Sequence, residues 1–159
     1  MRGPSFGCGA TMALVSSSPR DETIERLKDH LAGRAEVLEA YLFGSVARRD
    51  DQAHSDLDMA VYVDRGAISE TDARYTALLT AELQTVLRRS DIDLVLLNNA
   101  TPLLYYAVLR DGVRMLSRDL SATTRREGYA LSRYCDDVPR LRAIEEAHRA
   151  RIQAGNFGR

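Results

Sequence analysis

Cysteine is scarce in this chain, lysine nearly absent, and a long apolar run missing altogether. Only Cys8 and Cys135 occur, too few for a disulfide framework or a cysteine-based zinc site, so a reducing cytoplasm is the expected setting. The longest apolar stretches, near Val37–Phe43 and Leu94–Leu97, are strand-sized. A bilayer crossing needs roughly 20 residues, so no membrane association is expected. Strong charge of either sign is also lacking. The 22 Lys+Arg stand against 23 Asp+Glu, a net charge of -1. That balance argues against bulk nucleic acid or an anionic membrane as partner, while leaving room for a small basic pocket. Lys28 is the one lysine. Arginine suits bidentate phosphate contacts, but the bias reads as base composition rather than function. Residues 1–17, rich in Gly, Ser and Pro, lack the apolar core of a signal peptide and read as a loose head, with Met12 as an alternative start.

What is there is the material of one soluble domain: 159 residues, 45% hydrophobic and 28% charged. Ser18-Pro19 opens a helix, with Ser18 as cap; Ile24, Leu27 and Leu31 form its stripe and Gly33 ends it. Val37–Phe43 reads as a strand, interrupted by Gly44-Ser45. From Asp56 to Val63, Leu57, Met59, Val61 and Val63 alternate with more polar or smaller residues, the period of a two-faced strand. Ser69 is expected to cap a long helix carrying Tyr75, Leu78, Leu79, Leu83, Val86 and Leu87. Ile92–Leu97 reads as a central strand, Thr101-Pro102 as a helix start that runs to Gly112, and Val113–Leu116 as an edge strand. From about Ser121 the pattern is helical, with an interruption at Pro139. The order predicts an α/β fold, a small mixed sheet with flanking helices and a helical tail.

Three carboxylates carry the chemistry: Asp56, Asp58 and Asp93. Strand residues two apart share a face, with Cα atoms roughly 6.5–7 Å apart, so Asp56 and Asp58 can converge while Leu57 and Met59 anchor the other face. A neighbouring strand would bring Asp93 alongside. Three like charges held together are costly unless cations neutralise them, and hard oxygen donors suit Mg²⁺. Gly44-Ser45, leaving a strand and entering the helix-compatible stretch Val46–Asp50, would offer backbone N–H groups and a hydroxyl to a phosphate, with Arg48 one turn on. A triphosphate cradle beside a multi-carboxylate metal site specifies nucleotidyl transfer. Asp91 shares a face with Asp93 but follows Ser90 at the strand edge, so Asp93 is preferred; Asp50 and Asp51 read as solvated.

The stretch Leu42-Phe43-Gly44-Ser45-Val46-Ala47-Arg48, continuing to Ser55-Asp56-Leu57-Asp58-Met59-Ala60-Val61, resembles the signature of the DNA polymerase β-like nucleotidyltransferase superfamily. The small size points to its minimal nucleotidyltransferase (MNT) branch, the antitoxins paired with HEPN ribonuclease toxins. The resemblance implies that Asp56 and Asp58 hold two Mg²⁺ ions, that Asp93 helps bind one and lies nearest the attacking hydroxyl, and that Gly44 and Ser45 bind the triphosphate. It implies residues 18–117 as the nucleotidyltransferase domain and 118–159 as a helical extension packed on it. ATP would be the substrate and a tyrosine of the cognate HEPN toxin the acceptor. Arg49 stands where the family usually has glycine, which bears on the loop's geometry. An aminoglycoside-type enzyme is the first alternative, although only about 40 residues follow Leu116. An antitoxin that acts by binding alone is the second, and the full set of carboxylates disfavours it. A template-directed polymerase fragment is opposed by the neutral charge.

Other features read as structural. Arg142 and His148 match the HEPN Arg-x₄₋₆-His spacing by chance in a charged tail helix. His30 and His54 read as surface residues, Tyr105 and Tyr106 as core or interface, and Tyr129, Tyr134 and Pro139 as a possible partner surface.

Overall fold

A computed structural model describes residues 19–47 and 56–153. The head, the Ser18 cap, Arg48, Arg49, Asp50, Asp51 and His54 lie outside the described residues. Helix α1 (Pro19–Ala32) starts at its proline and buries Leu27 and Leu31 completely. Strand β1 (Val37–Phe43) leads directly into a single-turn helix, α2 (Gly44–Ala47), and β2 spans Leu57–Val63. Helix α3 (Asp72–Leu87) is followed by β3 (Ile92–Leu96), α4 (Pro102–Asp111), β4 (Val113–Ser117) and a long α5 (Leu120–Gln153).

The four strands form one mixed sheet in the order β3-β2-β1-β4. β1 pairs antiparallel with both β2 and β4, whereas β2 and β3 run parallel. One face carries Leu57, Met59, Val61 and Val63 against Leu27, Leu31, Tyr75, Leu79 and Leu83 of α1 and α3. A register shift between Val37 and Glu39 lets Val37 join Ala40 and Leu42 in that same core. The opposite face packs Tyr41 and Ala60 against Tyr105 and Val108 of α4 and Ala130 of α5.

Five details depart from the sequence-based expectations. The cap of α3 is Thr71, not Ser69: the Thr71 hydroxyl accepts the Arg74 N–H at 3.4 Å, while the Ser69 hydroxyl donates to Glu70. Leu78 on that helix is exposed rather than core. β3 lies at the sheet's edge, and its apolar run exists because Ile92, Leu94 and Leu96 join the core beneath α1 and α3. Helix α5 passes through Pro139 without a break. The proline removes one N–H from the ladder, but the turn it leaves open is at the exposed Cys135, where solvent can serve the carbonyl. His30 is half-buried, its Nε2 3.5 Å from Glu82, rather than a surface residue.

A charged pair crosses the second face. Glu39 of β1 is fully buried and accepts from Arg126 of α5. Tyr41 donates to Glu39 at 3.0 Å and lies 2.8 Å from Glu127, which also takes Arg114 at 3.1 Å. This network ties the start of α5 to the sheet. Further on, Tyr106 of α4 and Tyr134 of α5 stack with ring centroids 3.9 Å apart.

Candidate functional site

The antiparallel β1–β2 pair brings the end of β1 beside the start of β2, with Phe43 opposite Asp58. The parallel β2–β3 pair places Asp58 opposite Asp93 and Leu57 opposite Ile92. Gly44, Asp58 and Asp93 thus stand at one end of three neighbouring strands. Asp56 precedes Asp58 by two residues at the same end. Asp58 is half-buried, while Asp56 and Asp93 are exposed.

Gly44 meets Asp58 directly. Its φ is +73°, in the left-handed region that favours glycine. A Cβ built there would stand 1.9 Å from Asp58 Oδ2 and 2.8 Å from its Cγ. Only a residue without a side chain lets the backbone come this close to the carboxylate. Ser45 follows at the first turn of α2, and Val46 and Ala47 pin that turn into the core. The bend therefore faces Asp58. Arg48 and Arg49, both singled out in the sequence, lie beyond the described residues.

Arg89 was not anticipated. Arg88 ends α3 in a left-handed conformation, φ 54° and ψ 40°, and the chain then turns into β3. Arg89 Nε donates to Asp91 Oδ1 at 2.8 Å, and a second guanidinium nitrogen reaches Asp91 Oδ2. Hydrogen bonding to Asp91, and the charges of Asp91 and Asp56, raise the Arg89 pKa against the opposing effect of burial. Asp91 is thus paired with an arginine, whereas Asp93 has no such partner among the described residues. The sequence signal was available in the Arg89-Ser90-Asp91 spacing, but a solvated pair reads the same way.

Among the described residues no three Asp, Glu, His or Cys side chains stand close enough to hold one metal ion in this structure. The donor set nonetheless fits a hard divalent cation: three carboxylates at one sheet end, two of them opposite each other on adjacent strands. Like charges placed this way repel, and a cation is what would offset them.

The comparisons with known proteins agree with this fold. The family model described as polymerase beta, nucleotidyltransferase matches residues 25–121, which contain all four strands. The chain belongs to the polymerase beta nucleotidyltransferase family. Its fold is also that of several solved structures. A crystal structure of a mutant toxin-antitoxin pair, MntA-HpeT, aligns with a TM-score of 0.62 at 22% identity, covering 81% of this chain and 98% of that one. A toxin-antitoxin structure with AMP-PNP aligns at 0.58 and 22% identity, covering 84% and 98%. A third, from Shewanella oneidensis, holds a tri-AMPylated HEPN toxin in complex with an MNT antitoxin; it aligns at 0.57 and 22% identity, covering 82% and 96%. None of the curated proteins matches the chain. The mixed sheet and flanking helices are those the Gly44-Ser45…Asp56-Leu57-Asp58 signature implied.

Proposed function

We propose that this nucleotidyltransferase is an MNT antitoxin that transfers AMP from ATP to a tyrosine hydroxyl of a cognate HEPN toxin. The observation that carries the reading is the approach of Gly44 to Asp58, with Asp93 in register on the next strand. It is supported by the family membership and by neighbours from toxin-antitoxin complexes, one of them holding an AMPylated toxin. The setting is the cytoplasm, and no direct contact with nucleic acid is part of this reading.

Asp56, Asp58 and Asp93 would hold two Mg²⁺ ions, which when bound supply positive charge to the phosphates and acidify the attacking hydroxyl. Backbone N–H groups at Gly44-Ser45, the Ser45 hydroxyl and Arg48 would hold the β- and γ-phosphates. The tyrosine oxygen attacks the α-phosphorus in line, a new P–O bond forms, and the bond to the β-phosphate breaks to release pyrophosphate. Asp93 accepts the hydroxyl proton. The rest is orientation and electrostatic complementarity.

The test is direct. The chain is incubated with ATP, Mg²⁺ and the HEPN protein encoded beside it, and the HEPN protein is weighed. The expected result is addition of one or more AMP groups, lost in Asp56→Asn plus Asp58→Asn. No adduct, or an adduct that survives the double substitution, would overturn the proposal; silencing of the toxin without ATP would point to an antitoxin that acts by binding alone.

A further inference from the structure

A second recess opens on the same face of the sheet as Asp58, toward the other end of β2. Tyr62, on its wall, lies four residues beyond Asp58, roughly 13 Å at the usual strand rise. Ala60, between the two, is buried with Tyr105 and Val108, so packed side chains separate the recess from the carboxylates. Its volume is 170 Å³. A cavity of roughly 150 Å³ is enough to take up benzene.

Tyr105 lines the recess and is only 7% exposed, yet its enclosed hydroxyl has no hydrogen-bond partner among the described residues. Buried polar atoms left this way are rare in folded proteins. The neighbouring groups are already committed. Asn98 donates to the Val63 carbonyl at 2.8 Å and accepts from the Val63 N–H at 3.0 Å. Arg126 lies 4.7 Å from the centre of the Tyr62 ring and is paired with Glu39. Burial and the charge of Glu39 raise the Tyr105 pKa, so its hydroxyl keeps the proton and is available as a donor. At the mouth, Tyr129 is 66% exposed and Arg133 makes no ion pair among the described residues.

We propose that this recess binds a small anionic heteroaromatic molecule. Its ring lies among the tyrosines and accepts the Tyr105 hydroxyl proton in a hydrogen bond, and its acidic group sits outside on Arg133. The flat aromatic walls select a planar ring. The single unanswered donor asks for a ring acceptor, and the uncompensated guanidinium asks for an anion. The site is independent of the carboxylate end and of the transfer reaction proposed there.

AMP is the probe, because it joins a ring with acceptor nitrogens to a phosphate. Calorimetric titration of the full chain in chelator-containing buffer is expected to show one site. Binding is expected to persist in Asp58→Asn plus Asp93→Asn, and to weaken by about tenfold in Tyr105→Phe and again in Arg133→Ala. Adenosine is expected to bind more weakly than AMP, and inorganic phosphate not at all. Tyr105→Phe removes one oxygen, and its melting temperature reports that the fold is intact. Absence of AMP binding, wild-type affinity in both recess variants, or loss of binding in the carboxylate variant would each overturn the proposal. The last outcome would leave the transfer reaction standing.

Discussion

Gly44→Ala is the most economical way to test the contact on which the site depends. At φ +73° an alanine pays the left-handed conformation, about 1–2 kcal/mol. Its methyl would also stand 1.9 Å from Asp58 Oδ2, far inside contact distance, so the carboxylate must rotate away. Restricting the unfolded chain returns about 0.4–1 kcal/mol. The net loss expected is about 1–3 kcal/mol, a fall in Tm of about 2–10 °C for a chain of this size. Activity should fall further than stability, because a displacement of about 1 Å at a reacting group can cost on the order of 10²-fold. A thermodynamic cycle with Asp58→Ala separates the two effects. In that background the oxygens are gone, so Gly44→Ala should retain its backbone strain and lose most of its clash. Thermal denaturation of the four proteins measures the coupling, and the proposed transfer of AMP to a HEPN protein measures activity. Equal costs of Gly44→Ala in both backgrounds, or a variant as active as wild type, would refute the steric argument.

Asp93→Asn relieves repulsion across the β2–β3 pair, so in chelator it should raise stability by about 0.2–1 kcal/mol; Mg²⁺ should raise the melting temperature of the wild type and do so far less for the variant. Arg126→Ala leaves Glu39 fully buried without its cation and should cost about 3–5 kcal/mol, whereas Glu39→Gln plus Arg126→Ala should cost less than the sum of the single changes, both read by urea denaturation. Burial pushes the Glu36 carboxyl up, but hydrogen bonds from its own backbone N–H, Arg34 and Tyr75 outweigh this and hold its pKa below 4.5. Its contribution to stability is therefore present above pH 4.5 and lost as pH falls through the depressed value, so Glu36→Gln should flatten the acid limb of a stability-pH curve while changing nothing in the shape at neutral pH.

The parts of the fold written in local pattern were legible, and those set by partners far along the chain were not. Alternation from Leu57 to Val63 marks a two-faced strand because side-chain direction there is a local property. The cap of α3 was misplaced because Ser69 and Thr71 are chemically equivalent candidates, and only the backbone at Thr71 puts a hydroxyl over the Arg74 N–H. The apolar run of β3 said that one face was covered and not how many strands flanked it, so an edge strand read as a central one. Glu39 and Arg126, 87 residues apart, could not be paired from sequence; a lone acid inside an apolar strand was the available hint. Within the site, the identity of Gly44 was legible as part of a motif. The reason for it, a carboxylate occupying the space of its Cβ, exists only once β1 and β2 are in register.

The one parallel pairing explains why so few strands suffice to assemble the site. β1 and β2 are antiparallel, so the last residue of one meets the first residues of the other, and Gly44 reaches Asp58 through a local connection. If β3 followed β2 in a hairpin, Asp93 near its start would lie at the far end of β2, some 13–20 Å from Asp58. Instead the chain crosses back over the sheet through the sixteen residues of α3, and β3 begins where β2 begins. That crossover places two acidic residues opposite each other at a sheet edge, which the sheet alone does not favour. The burial of Tyr75, Leu79 and Leu83 on the helix side, together with Ile92, Leu94 and Leu96, holds the pairing against that repulsion. The sheet's stability therefore sits on one face and its charge concentration at one end of the other. A substitution in the α3 core, such as Leu83→Ala, should for this reason loosen β3 and lower activity before it unfolds the domain.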